Sequence, residues 1–204
     1  MQFFPAISQV EGYWQGLYSQ GDVPARSSVD PRGMENALEY AFLLERIAPG
    51  VARIRLSGMH LNDILGMEVR GMPLTALFTP AARKEIASAV ERVCNGPRLA
   101  DLDLVSHASA GRAALEARLF MAPLVDEHGR TDRILGCLQT KGVIGRTPRR
   151  FDEARCVTRH LDTAATAPMR QKIRQIAFAE TSDMQQPKVA PSKHPHLRLV
   201  YSAD

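Results

Sequence analysis

The sequence predicts an α+β domain in which short helices and one long helix pack against an antiparallel sheet. Three observations carry that reading. Residues 98–142 hold three successive segments of alternating apolar and polar residues, separated by glycine-bearing turns. Residues 79–97 carry the pattern of a long amphipathic helix, and "RIRLSGMHLNDILGMEVRG", residues 53–71, begins as a strand and turns helical within a few positions.

The first element is a helix in "SQVEGYWQGLYSQG", where Val10, Tyr13, Trp14, Leu17 and Tyr18 recur at helical spacing, with Ser8 placed to cap the start and Gly21 past the end. Its stripe is wide enough to cover a sheet and still meet a second subunit, which makes these five residues the candidate homodimer or partner contact. A purely intrachain cap would satisfy the same stripe. Asp30 and Pro31 then form an N-cap and first-turn pair. Met34, Leu38, Ala41, Phe42 and Leu44 to Ile47 continue at helical spacing, predicting a second helix over residues 31–47.

In "VARIRLS", Val51, Ile54 and Leu56 alternate with Arg53 and Arg55, the mark of a strand with one wet face, and Gly58 stops it. "LNDILG" and "PLTALF" are too short for independent helices and read as single turns closed by Gly66 and Gly71. All three glycines are read as permitting backbone conformations that side chains forbid. The long helix starts with Thr79 as N-cap and Pro80 at its first position, shows Ile86, Val90, Val93 and Cys94 on one face, and stops at Gly96-Pro97.

Three strands complete the pattern. Leu102, Leu104 and Ser106 alternate with Asp101, Asp103 and Val105. After "SAGR", Leu115, Ala117, Leu119 and Met121 oppose Glu116, Arg118 and Phe120; "DEHGR" then turns the chain at Gly129 into "DRILGCLQTKG". Val105, Phe120, Leu135 and Cys137 form an apolar outer face that the first helix is expected to cover. Beyond it, "DEARCVTRHLDTAA" and "MRQKIRQIAFAE" read as short amphipathic helices broken at Pro168. In "HLRLVYS", Leu197, Leu199 and Tyr201 alternate like a strand inside a polar, proline-containing tail. The expected segments are residues 1–30 (helix and connector), 31–144 (main domain), 145–180 (helical extension) and 181–204 (mobile basic tail).

Composition narrows the function classes. With 204 residues and 45% hydrophobic content the chain can bury an ordinary core. It has no apolar run near the roughly 18 residues of a membrane span, and its start lacks the features of a secretory signal. A cytoplasmic protein without membrane contact is expected. Cys94, Cys137 and Cys156 are odd in number and widely separated, which argues against a disulfide framework or a zinc knuckle. Residues 1–144 carry 15 basic against 16 acidic side chains, whereas residues 145–204 carry 11 against 6. A basic tail without interleaved aromatics reads as solvated chain, with nucleic-acid association through that tail as the alternative.

There is no GxSxG, no phosphate-cradling glycine loop and no HExxH. The carboxylates Asp101, Asp103 and Glu116 fall on the polar alternation of strands and are expected to face solvent. Arg149, Arg150 and Arg155 of "RRFDEAR" read as a surface cluster. Among the histidines, His60 and His107 are placed to reach a pocket mouth, His128 lies in a turn, and His194 and His196 lie in the tail; no metal site is predicted.

The element order, with "YWQGLYSQGDVPARSSVDP", "FLLERIAPGVARIRLSGMHLNDILGMEVRGMPLTALF" and the terminal "HLRLV", resembles the PAS domain and, more closely, a PAS subfamily common in alphaproteobacteria. The resemblance runs over about residues 11–141. It implies a five-stranded antiparallel sheet with short helices and one long helix on one face and the N-terminal helix capping the other. It also implies a short second strand, supplied here by "MHL", residues 59–61. PAS ligands sit between the sheet and the long helix, a space lined here by Ile54, Leu56, Leu65, Leu77, Ile86, Val90, Leu104, Leu119 and Leu138, although core periodicity alone explains the same residues.

Haem-binding members use a histidine on the long helix, and flavin-binding LOV members use a cysteine-bearing motif on the helix before it. "TPAARKEIASAVERVCNG" and "LNDILGMEVRG" contain neither, so neither haem nor photoactive flavin is expected and the purified protein should be colourless. The function implied is a non-catalytic sensory or regulatory module acting by small-ligand binding and protein contacts, as a homodimer or with an unknown protein partner. A nucleic-acid-associated regulator using the basic tail is the alternative.

Overall fold

Helix α1 (Pro5–Tyr18) opens the chain, followed by 3₁₀ turns at Arg26–Ser28 and Pro31–Ala37. A hairpin of β1 (Ala41–Ala48) and β2 (Val51–Ser57) comes next, then α2 (Met59–Leu65), a 3₁₀ turn at Leu74–Leu77 and the long helix α3 (Arg83–Asn95). Strands β3 (Arg98–Ser106), β4 (Leu115–Leu124), β5 (Arg133–Lys141) and β6 (Asp152–His160) end the described chain. The computed structural model describes residues 4–18, 22–96, 98–109 and 111–161. The readings of "MRQKIRQIAFAE", the basic tail and "HLRLVYS" lie outside them.

All six strands form one sheet of order β2-β1-β5-β4-β3-β6, with every paired neighbour antiparallel. The expected α+β architecture holds, with three corrections to its elements. First, residues 31–47 are not one helix. Asp30 caps as expected, accepting from the Arg32 N–H at 3.0 Å, but the turn it starts ends at Ala37 and the apolar run from Ala41 is β1. That strand lies between β2 and β5 and buries side chains on both faces, so its sequence shows a continuous run instead of alternation.

Second, "MHL" is the first turn of α2 and the missing strand is β1 itself. Third, the segment read as a helix around Cys156 is the edge strand β6, which makes the sheet six-stranded. The long helix also starts later than Thr79-Pro80 suggests. Ala82 is its N-cap residue, without a side-chain cap, and the Thr79 hydroxyl instead bonds Asp152 at the start of β6.

The glycines of the crossover have two different reasons. Gly66 (φ 72°) closes α2 in the left-handed region, and Gly71 has φ 85°. Gly58 has ordinary extended φ of −68°; it is needed because a Cβ there would lie 2.2 Å from the carbonyl oxygens of Leu38 and Glu39. The hairpin tip is tied to the long helix by Glu91, which accepts the Gly50 N–H at 2.7 Å and the Arg46 guanidinium at 3.1 Å. Burial alone would raise the Glu91 pKa, but Gly50, Asn95 and Arg46 outweigh it and hold the carboxyl below its ordinary value.

Core packing divides by sheet face. On the α3 side, β1 to β5 contribute Phe42, Leu44, Ile54, Leu102, Leu119 and Leu138 among others to one buried cluster with α2 and α3. On the other side, Val10 and Trp14 of α1 pack with Phe120, Leu135 and Cys137, as the outer-face pattern predicts, while Val105 remains half-buried outside that cluster.

Candidate functional site

Eight of the nine residues expected to line a ligand space between sheet and long helix do meet there. Ile54, Leu65, Leu77, Ile86, Val90, Leu104, Leu119 and Leu138 belong to a single buried cluster and none is more than 4% exposed. They pack against one another as an apolar core. Leu56 is the exception and corrects the expectation. Leu44 pairs with Ile54 but Leu43 pairs with Leu56, so Arg55 is an extra residue in β2, a β-bulge. A one-residue slip turns every following side chain to the opposite face. Leu56 therefore emerges on the α1 side of the sheet, 47% exposed.

There it forms one wall of a concavity of about 200 Å³ under the Pro31–Ala37 turn. Leu43 and Leu135 contribute from the sheet, with Met34 and Leu38 from the segment above it. Ser57 is the one polar side chain among the described residues that line it. No alternation signal marked this groove, because it depends on the bulge.

The segment over the groove is held to α1. The Asp30 N–H donates to the Tyr13 hydroxyl oxygen at 2.6 Å, and that hydroxyl in turn donates to the Ser28 carbonyl at 3.5 Å. Gly33 lies against the Tyr13 ring so closely that a Cβ would come within 2.2 Å of it. The next residue of α1, Trp14, is fully buried, donates its Nε1–H to the Pro123 carbonyl at 2.8 Å and stacks on Tyr18 with ring centroids 5.1 Å apart. Of the five residues read as a contact stripe, Val10 and Trp14 are consumed by the sheet, whereas Tyr13, Leu17 and Tyr18 stay half-buried.

Polar side chains gather at three further places. Asp101 was expected to face solvent like Asp103 and Glu116, which are exposed, but it is 8% exposed and lies beneath two guanidinium groups. Arg118 reaches it at 3.3 Å and Arg159 at 2.7 Å, and Arg159 also binds Glu11 of α1 at 2.7 Å. Arg149 corrects the surface-cluster reading. It is 2% exposed, and its Nε and Nη2 donate to the carbonyls of Ile144 and Ala113, each at 2.7 Å. Arg150 and Arg155 are exposed as expected.

His60 is half-buried, edge-on to Tyr40 at 4.7 Å, with its Nε2 3.3 Å from the Thr140 backbone nitrogen and 3.1 Å from the Thr140 hydroxyl. A backbone N–H can only donate, so Nε2 accepts and the ring is neutral with its proton on Nδ1. Burial lowers the His60 pKa, against the opposing pull of Glu39 and Asp63. The sign follows from linkage: the unfolded chain takes up a proton near roughly 6.5 and the folded chain only at lower pH. His60's contribution to stability is thus complete above that value and declines as pH falls below it. Denaturant titrations between about pH 5 and 8 are expected to show a steeper acid loss for the wild type than for His60→Gln, which keeps an acceptor for Thr140. Equal slopes would remove His60 from the account.

His107 is exposed, 3.7 Å from Asp152, and His128 stands in the β4–β5 turn, 3.4 Å from Asp126. No group of three or more His, Cys, Asp or Glu among the described residues could hold a metal ion. Nor is any described helix long and apolar enough to cross a membrane.

Comparison with known proteins adds a family. The family model described as PAS domain matches residues 2–139. No curated protein matches the chain. Among solved structures, a light-oxygen-voltage domain studied with a flavin analogue is 18% identical with a TM-score of 0.41, over 54% of this chain and 83% of that one. The light-state LOV domain of the blue-light photoreceptor Aureochrome1 is 16% identical with a TM-score of 0.39, over 54% and 88%. An RNA-binding light-oxygen-voltage receptor is 14% identical with a TM-score of 0.37, over 78% of this chain and 41% of that one.

Proposed function

Because the chain belongs to the PAS domain family, whose members are generally sensory modules, we propose that it is a non-catalytic regulatory sensor working by small-ligand binding and protein contacts. A cytoplasmic location and kinship with PAS domains common in alphaproteobacteria go with this reading. The observation that carries it is the Tyr13 clamp, which joins an open apolar groove to the helix best placed to meet another protein. A change in the groove then has a route to the surface of α1 without crossing the packed core on the far side of the sheet.

The output is a homodimer contact through α1. With Val10 and Trp14 occupied by the sheet, Tyr13, Leu17 and Tyr18 are left to meet the second subunit. Sedimentation velocity at high micromolar concentration is expected to give a dimer for the wild type and a monomer for Leu17→Glu, with melting temperatures close to one another. A wild type that stays monomeric would leave α1 an intrachain cap and remove the proposed output.

A further inference from the structure

We infer that the concavity under the Pro31–Ala37 turn is a binding site for an uncharged, apolar small molecule about the size of one aromatic ring, and that Tyr13 conveys its occupancy to α1. The inference rests on the sensory reading above and places the ligand on the opposite side of the sheet from the α3 core.

Size comes first. The space is about 200 Å³, slightly more than the roughly 150 Å³ of an apolar cavity known to stay dry and admit benzene. Chemistry comes second. Among the described residues lining it there is no charged side chain, and Ser57 offers a single hydroxyl, so an ionised ligand would lose its hydration with nothing to replace it. Construction comes third. The bulge at Arg55 turns Leu56 into this space, and Leu38, which also lines it, is 38% exposed, so two large apolar side chains bordering the groove are left partly open to water. Between the sheet and α3 the expected lining residues are buried in mutual contact.

Transmission follows from what covers the groove. Met34 and Leu38 belong to the segment whose start is fixed by Asp30, and the Asp30 N–H is bonded to Tyr13. Gly33, between Asp30 and Met34, has no clearance from the Tyr13 ring. A ligand that lifts this segment must therefore move Tyr13 or break its hydrogen bond, and Trp14 is the next residue of the same helix.

The test uses the full chain with ¹³C-labelled methyl groups and toluene as probe, with benzoate as its charged counterpart. Toluene is expected to give saturable shifts at the methyls of Met34, Leu38, Leu56 and Leu135, with those of Leu104, Leu119 and Leu138 unmoved. Benzoate should bind roughly tenfold or more weakly. Leu56→Asp, at a position exposed enough to leave folding intact, should weaken toluene by a similar factor. In the wild type the Trp14 indole N–H resonance should move with occupancy; in Tyr13→Phe toluene should still bind while that resonance stays still.

Shifts confined to the α3-side methyls would overturn this site and leave a sensory module with its ligand elsewhere. Absence of saturable shifts up to the solubility of toluene would overturn it too, as would undiminished binding by Leu56→Asp. Loss of self-association in Leu56→Asp without any toluene binding would make the groove a protein contact. An unmoved Trp14 resonance in the ligand-saturated wild type would overturn the transmission through Tyr13. Sedimentation of the wild type decides the homodimer output separately, so the two readings fail on different measurements.

Discussion

Trp14→Ala is expected to destabilise the domain by about 3 to 5 kcal/mol, lowering the melting temperature by roughly 6 to 20 °C. The ring is fully buried between α1 and the sheet, and its truncation opens a void under a helix held by few other large side chains. It also strips the Pro123 carbonyl of its donor. Trp14→Phe separates the two effects, because it retains much of the apolar volume and loses the hydrogen bond, for about 1 kcal/mol plus the smaller void. Denaturant unfolding measures both. A loss for Trp14→Ala no greater than that for Trp14→Phe would mean that the helix detaches without cost to the sheet.

Arg149→Ala is expected to cost about 2 to 4 kcal/mol, since two buried carbonyls lose their donors and a long side chain leaves a gap. An opposing effect must be weighed. A guanidinium at 2% exposure, bonded to carbonyls and with Nη1 lacking a hydrogen-bond partner, carries a desolvation penalty that its removal recovers. Arg149→Met decides which effect wins, because it preserves bulk while removing both charge and donors. The geometry of two 2.7 Å bonds, fastening the Ala113 and Ile144 loops to one side chain, favours a net loss of about 1 to 2 kcal/mol for Met. A Met variant as stable as the wild type would show that desolvation cancels the bonds. Arg149→Lys should not rescue, because one ammonium lacks the planar fork that reaches two carbonyls.

How much was legible in the sequence depended on how many faces of an element are covered. In β3 and the first half of β4 polar residues mark the face away from α3, so the period of two survives; the rest of β4 and the middle of β5 are covered on both faces, with Phe120, Leu135 and Cys137 under α1, and were readable through the flanking turns at Gly111 and Gly129. β1 is covered on both faces; its run "AFLLERIA" lost the alternation and passed for a helix, although Pro49-Gly50 between two apolar runs was a usable hairpin signal. β6 has only Val157 as a large aliphatic mark, and Leu161 just past its end stands at helical spacing from it.

Within the candidate site, Leu56 defeated the pattern because a bulge leaves no trace in composition. Tyr13 was visible as one member of a stripe, but its hydroxyl partners at Ser28 and Asp30 lie across a chain reversal that periodicity does not report. Arg149 sits in a charged run whose burial is decided by loops 36 and 5 residues away.

Glu11 and Arg159 are 148 residues apart in the chain and in contact across one hydrogen bond. For a flexible chain, closing a loop of that length carries an entropy that grows with the logarithm of its length, but here the sheet has already brought the ends together. The first helix and the last described strand thus share a hinge pin, with Asp101 as its seat. A displacement of α1 by little more than the length of one side chain would part Glu11 from Arg159 while the backbone ladder between β3 and β6 stays in place.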